Sequence, residues 1–303
     1  MLPEGFASRY RTLVDDPDAF LAALGRVQRS FRVNTLKAAP EQVRKQFEEY
    51  GIALASVPWY ADAFTCSDQR ISKTLEHALG HMYLQGLSSM LPALAMKEEL
   101  RRASLVLDAC AAPGSKTTQL AALMQNRGTL MANDVDYSRL RALRFNLEKA
   151  GVVNAAVTHH DLLRFPAPDG GFNCILLDAP CSAEGTFGKS TEAQERWSER
   201  LIAGCATLQK RLIAKAFDLL ADNGMLVYAT CTFAPDENEA VVQHLLETRD
   251  AKIEQIRING LNASPGVLEW HGRAFDGQLA SAIRIWPHLT NMNGFFIAKV
   301  RKR

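Results

Sequence analysis

No stretch of this sequence approaches the ~20 consecutive apolar residues that a helix needs to cross a bilayer. The opening residues, MLPEGFASRYRTL, contain no apolar h-region, so a secretory signal is not expected and a cytoplasmic location is. Neither sign of charge dominates: 35 Lys and Arg stand against 33 Asp and Glu in 303 residues. Residues 1–104 carry 13 basic and 12 acidic residues, so neither part of the chain is a basic arm. A nucleic-acid partner would have to be met by basic residues that the fold gathers on one face. Arg139, Arg141 and Arg144, the run Lys210-Arg211 with Lys215, and Arg301-Lys302-Arg303 are the available clusters. Each serves equally well as a solvated helix face or tail.

Metal and redox motifs are lacking too. The six cysteines, at 66, 110, 174, 181, 205 and 231, include no C-x-x-C pair, which disfavours a zinc ribbon or a thioredoxin-like centre. His77 and His81 stand four apart, but no third ligand lies nearby, so they are assigned to a helix face and no metal is expected. There are no internal repeats or low-complexity tracts. A hydrophobic content of 47% excludes a disordered chain.

What is present is a regular alternation. In the first part, FRVNTL reads as a strand, AAPEQVRKQFEEYG as a short helix with Pro40 in its first turn and Gly51 at its stop, and IALASV as a second strand. A helical stretch is expected around 17–28, and residues 58–72 read as a connector. We divide the chain into a small N-terminal α/β domain, residues 1–75, and a larger domain, residues 76–303. The larger one begins with a helical run through residue 99. Strands SLVLDA, GTLMAND, AAVTHH, FNCILLDAP, GMLVYAT and GFFIAKV then alternate with helices at 115–126, 137–150, 199–221 and 236–248. Such alternation predicts a doubly wound, mostly parallel sheet, with ligands at the carboxyl ends of its strands.

Chemistry-bearing residues lie just after those strands. The loop Asp108-Ala-Cys-Ala-Ala-Pro-Gly-Ser-Lys116 has the small residues that let a backbone approach a ligand, followed by a helix start with free N–H groups. It is neither G-x-G-x-x-G nor a P-loop, since Ser115 separates Gly114 from Lys116. Asp134 ends the next strand, where an acid accepts hydrogen bonds from ribose hydroxyls, and Asp161 follows the third. With Asp178, three acids at successive strand ends point to a bound nucleoside. Lacking a phosphate loop, the chain favours S-adenosyl-L-methionine over NAD or ATP.

Two cysteines complete the set. Cys181 follows Asp178 in Leu177-Asp-Ala-Pro-Cys-Ser-Ala-Glu-Gly185, and Cys231 ends the strand GMLVYAT before a helix expected near Pro235, a setting that lowers a thiol pKa. Cytosine C5 is a poor nucleophile until a thiolate adds to C6 and converts the base into an enamine. A thiolate beside a methyl donor therefore suggests cytosine methylation.

The segments FRVNTLK, YLQGLSSMLPA, LDACAAPGSKT, LLDAPCSAEG, YATCTFAPDENE and GFFIAKV make the chain resemble the Nop/Sun family of S-adenosylmethionine-dependent RNA cytosine-C5 methyltransferases, across nearly its whole length. The resemblance implies a class I methyltransferase-like domain behind an RNA-recognition-like module. It implies that Cys110, Ala111, Ala112, Pro113, Gly114, Ser115 and Lys116 form the cofactor loop, with Asp134, Asp161 and Asp178 as further contacts. It makes Cys231 the nucleophile, Asp178 a hydrogen-bond partner near cytosine N3, and Cys181 the thiol that assists release. Ser115 departs from the glycine often found there. Pro180-Cys181 would also suit the attacking cysteine of DNA cytosine-C5 methyltransferases. The implied partner is tRNA or rRNA, with tRNA slightly preferred because no long extension flanks the two domains; the protein is expected to act as a monomer. Two rival functions stand beside this one: methylation of DNA or a small molecule, and a non-catalytic RNA-binding assembly factor.

Overall fold

The computed structural model describes residues 2–26 and 28–303. Strands β1 (Ser30–Val33), β2 (Ala55–Val57), β3 (Tyr60–Thr65) and β4 (Met82–Leu84) form an antiparallel sheet in the order β2-β3-β1-β4. The helix Pro40–Glu49 covers it, placing Val43 and Phe47 against Phe31 and Phe64. Phe31 stacks on both rings, with centroids 5.6 and 5.5 Å away.

Two expectations change here. The connector expected at 58–72 contains β3, which is central to the small sheet. Its YADAFT sequence has two alanines and an aspartate, which dilute the strand signal, so packing rather than propensity selects it. The helical run expected through residue 99 is broken by Gly80, Gly86 and the strand β4, and resumes as the helices Leu87–Ala95 and Lys97–Leu100. At Gly80, φ is +73° and any Cβ would collide with the backbone carbonyl of Lys149. The helix expected around 17–28 runs from Pro17 to Ala23, and residue 27 lies outside the described residues.

The large sheet is built from β5 (Leu105–Asp108), β6 (Thr129–Asn133), β7 (Ala155–Thr158), β8 (Phe172–Asp178), β9 (Leu220–Thr230), β10 (Ala251–Glu254), β11 (Ser264–Pro265), β14 (Ile283–Ile285) and β15 (Phe295–Lys302); β12 (Glu269–Trp270) and β13 (Arg273–Ala274) pair separately. Its order is β11-β14-β15-β9-β8-β5-β6-β7, with β10 also on β15. The five strands from β9 to β7 are parallel, as expected. The strands beyond β9 extend the sheet in antiparallel fashion, so the whole is mixed.

Alternation along the strands explains the layers. In β8, Ile175 and Leu177 face one core, joined by Phe172 across a register shift, which includes Leu212, Ile213, Phe217 and Val241 from the helices Glu199–Asp218 and Glu239–Thr248. Cys174 and Leu176 face the other, with Leu91 and Leu120 from the helices Leu87–Ala95 and Ser115–Leu123. The chain winds from β5 to β6 and β7 on one side, then returns to β8 on the other. That reversal opens a crevice beside β5, where a doubly wound sheet receives ligands.

Candidate active site

The loop after β5 takes its shape from backbone bonds. Ala111 N–H donates to Asn133 O over 2.7 Å, and Gly114 N–H to Ala111 O over 2.7 Å. Gly114, at φ +105°, closes the turn and starts the helix Ser115–Leu123. Asp134 sits behind this loop, 3% exposed, where Oδ2 accepts from Ala112 N–H at 3.0 Å and Oδ1 from Asp136 N–H at 2.9 Å. Arg139 reaches back to Ala112 O and stands 3.8 Å from the Asp134 carboxylate. Asp108 is fully buried. Thr117 donates to its Oδ2 at 2.7 Å, while Oδ1 has no partner among the described residues, and burial pushes its carboxyl up to about 7. Asp161 is exposed and accepts from Leu163 N–H at 3.0 Å.

A cleft of about 660 Å³ gathers Cys110, Ala112, Asp134, Asp161, Asp178, Cys181 and Cys231. The volume lies within the range of small-ligand sites. Ala111, Pro113, Gly114 and Ser115 shape the turn without lining the cleft. Lys116 does not line the cleft either; it reaches Asp178 from behind, donating to Oδ2 at 2.5 Å and to Ser89 Oγ at 3.1 Å, above the Phe295 ring. Two acids at neighbouring strand ends, facing a pocket floored by small residues, suit an adenosine-bearing cofactor.

Cys181 and Cys231 follow the adjacent parallel strands β8 and β9, and their Sγ atoms are 3.4 Å apart. The hydrogen bond with Cys231, then burial, pushes the Cys181 thiol well above its ordinary range. Burial likewise raises the Cys110 thiol, and brings those of Cys174 and Cys205 to about 12. The helix expected near Pro235 starts only at Glu239, eight residues beyond Cys231, so it does not present its N-terminus to that thiol as the sequence suggested. Among the described residues, no group of three or more His, Cys, Asp or Glu side chains could hold a metal ion, and no helix is long and apolar enough to cross a membrane.

Residues 93–301 match the family model of the 16S rRNA methyltransferase RsmB/F. The chain belongs to that family. Residues 2–86 match the model of the N-terminal domain of 16S rRNA methyltransferase RsmF. The chain is 38% identical to the ribosomal RNA small subunit methyltransferase F of Vibrio parahaemolyticus, over 99% of this chain and 63% of that protein. It thus spans about three-fifths of the length of such relatives. It is also 38% identical to the tRNA (cytosine(49)-C(5))-methyltransferase of Pyrococcus abyssi, covering 97% of this chain and 94% of that protein. A solved methyltransferase homolog protein from Pyrococcus horikoshii superposes with a TM-score of 0.86 at 34% identity, over 98% of this chain and 94% of that one. The resemblance seen in the sequence therefore holds at the level of the family and its S-adenosylmethionine-dependent class.

Several residues of the site were not anticipated from the sequence. Arg32, 1% exposed in the small sheet, donates to Ser115 O at 3.1 Å and Thr118 Oγ1 at 2.6 Å, tying that sheet to the helix Ser115–Leu123. Asn133 donates to Ala109 O and His160 O, joining three strand ends. The run Glu237-Asn238-Glu239 is fully buried. Glu237 accepts from Ser182 N–H and Gln209, Asn238 holds Thr232 O, and Glu239 pairs with buried Arg284. Buried Glu184 accepts from Tyr10, Trp197, Thr232 and Phe233 N–H. The available signal was the string of acids beside the cysteine motifs; their partners lie up to 174 residues away in sequence.

Proposed function

We propose that this protein transfers a methyl group from S-adenosyl-L-methionine to C5 of cytosine in structured RNA, through a covalent bond between Cys231 and C6. The observation that carries the reading is the pair of thiols 3.4 Å apart at the ends of adjacent strands, in one cleft with Asp134 and Asp178. The loop Cys110–Lys116, with Asp134, Asp161 and Asp178, would hold the cofactor. When bound, that cofactor supplies an electrophilic methyl group.

The residues of the chain do the rest. Cys231 Sγ attacks C6, and the displaced electron density makes C5 nucleophilic. Asp178, backed by Lys116, faces the cytosine edge near N3 and hydrogen-bonds it, so that a proton shared between its carboxyl and the ring nitrogen balances the negative charge that collects there as the bond forms. After methylation the C5 proton passes to solvent, its electron pair re-forms the C5–C6 double bond and Cys231 departs as a thiolate, with Cys181 assisting release. The 3.4 Å contact between the two thiols is symmetric, so it is the resemblance to the family that favours Cys231 as the nucleophile and Cys181 as the assisting thiol. The target cytosine must leave its stack to present both carbons, so a loop or a flipped base is the expected site. We place the reaction in the cytoplasm, with the protein acting as a monomer. We also extend the N-terminal unit through β4, because that strand completes its sheet.

The test combines the purified protein with labelled S-adenosylmethionine and separate pools of tRNA, 16S rRNA and duplex DNA, followed by nucleoside digestion. Label in 5-methylcytosine from one RNA pool supports the reading and identifies the substrate class. Label only from DNA moves the nucleophile to Cys181. No label in any pool, with cofactor bound, overturns the catalytic reading in favour of a binding role.

A further inference from the structure

The residues that follow the two cysteines are themselves joined. Ser182 Oγ and Thr232 Oγ1 are 2.8 Å apart, and both side chains are buried. Each is anchored on its far side by a buried carboxyl: Ser182 contacts Glu237 Oε1, and Thr232 reaches Glu184 Oε2 at 2.7 Å. The result is one row of oxygens, Glu237–Ser182–Thr232–Glu184, running beneath the thiol pair.

Three oxygen–oxygen contacts require three protons, and the two hydroxyls supply only two. One carboxyl must supply the third. Glu184 collects donors from Tyr10, Trp197 and Phe233 N–H besides Thr232, which is the environment of a carboxylate. Glu237 Oε2 accepts from Ser182 N–H at 3.0 Å and Gln209 at 2.9 Å, leaving Oε1 to carry the proton. Its other neighbours are Cys181, Cys205, Tyr228 and Glu184, none of them cationic. Burial raises the Glu237 carboxyl to about 7, which agrees with that assignment.

We propose that the Ser182–Thr232 hydroxyl pair, held between Glu237 and Glu184, positions Cys181 against Cys231 and stays closed only while Glu237 carries a proton. These four are positioning residues, and the inference rests on the roles given above to the two cysteines. Opening the row leaves the loops after β8 and β9 joined through main-chain groups, Gly185 N–H to Cys231 O, Ser182 N–H to Glu237 and Phe233 N–H to Glu184, which hold backbone rather than thiols.

Thr232→Val removes the hydroxyl at nearly constant shape, and both carboxyls keep at least two donors. Two readouts apply. Without RNA, glutathione disulfide oxidises the thiol pair: two thiols lose two hydrogens, one protein disulfide forms and two glutathione thiols appear. Peptide mapping then follows the Cys181–Cys231 bond. With RNA, turnover is followed at saturating substrate. Thr232→Val should slow disulfide formation and lower kcat by about tenfold or more with KM little changed, since small displacements of reacting groups cost that much. Thr232→Ser should restore both.

Glu237→Gln replaces the carboxyl O–H with an amide donor, so the row stays closed at every pH. The wild-type to Glu237→Gln ratio in kcat and in disulfide rate should be near one at about pH 6 and fall at about pH 8.5, above the Glu237 transition. A constant ratio, or wild-type behaviour of Thr232→Val in both readouts, overturns the proposal. Should Thr232→Val unfold, the Glu237→Gln ratio decides alone. Turnover surviving in Cys231→Ala would instead overturn the function proposed above, while the RNA-free disulfide rates would still report on the row.

Discussion

The two halves of the cleft are held in different ways. The half around Cys110–Lys116, where we propose that the cofactor binds, is made by backbone: a turn closed by Gly114, with Ala112 N–H bonded to Asp134. The cysteine half is made by side chains, with Glu184, Glu237, Ser182 and Thr232 buried beneath the thiols. A backbone-built loop tolerates small changes in its residues as long as the turn is kept. A side-chain-built loop stores its geometry in individual hydrogen bonds, and each buried partner left alone costs about 1–3 kcal/mol. Substitutions should therefore act locally and mildly in the first half, and broadly in the second.

The sharpest break is at the thiols. Cys231→Ala should reduce methyl transfer to background while leaving S-adenosylmethionine affinity unchanged, as turnover and calorimetry would report. Cys181→Ala should retain attack and accumulate an RNA–protein adduct visible on a denaturing gel; wild-type turnover without adduct would remove Cys181 from release. Next comes Glu184→Ala, which strands Tyr10, Trp197, Thr232 and Phe233 N–H together. It should lower unfolding free energy by about 3 kcal/mol or more in urea titrations, because several buried donors lose their acceptor at once.

A titration separates the halves differently. Glu237 is raised from 4.5 to about 7, chiefly by burial. The stability gained from its neutral form is full below pH 4.5 and lost as pH rises through 7. Wild-type stability relative to Glu237→Gln should therefore fall by about 3 kcal/mol across that window. Asp108 titrates in both proteins, so the difference isolates Glu237; a flat difference would mean that its carboxyl is not raised.

In the cofactor half the effects shrink. Asp134→Ala should weaken S-adenosylmethionine by about tenfold, or 1.4 kcal/mol, and RNA far less. Equal losses for both ligands would mean that Asp134 serves only to hold Ala112. Smallest is Ser115→Gly, which removes a side chain that does not line the cleft and should shift cofactor affinity by less than about twofold, within the range of neutral surface changes.

The same contrast explains what the sequence disclosed. The cofactor turn leaves a signature of Gly, Pro and small residues after an apolar strand, so its position, the parallel strands and the acids at their ends were all legible. Cys181 and Cys231 were legible as strand-end thiols, but nothing local says that they meet. Arg32, Glu184 and Glu237 were opaque because their partners come from distant segments, and a buried charge looks like any surface charge in a linear string. β3 was missed because Tyr60, Ala63 and Phe64 bury themselves only once β1 and β2 flank them. The edges of the large sheet escaped for a related reason: β11 and β14 are two and three residues long, too short to show periodicity.

The placement of β15 has a consequence for how such a chain comes to life. It pairs along β9, setting Phe296 opposite Thr230, the residue before Cys231, although it follows β9 in the chain by about 65 residues and five other strands. During synthesis β9 therefore waits with one edge unpaired while about 65 further residues are added, a non-local contact that slows folding and leaves an aggregation-prone edge. Phe295, whose ring lies under Lys116, arrives at the same moment. A nascent chain that stops short of β15 would expose a sheet edge beside Cys231, so the cleft is complete only when that strand slides into the middle of the sheet.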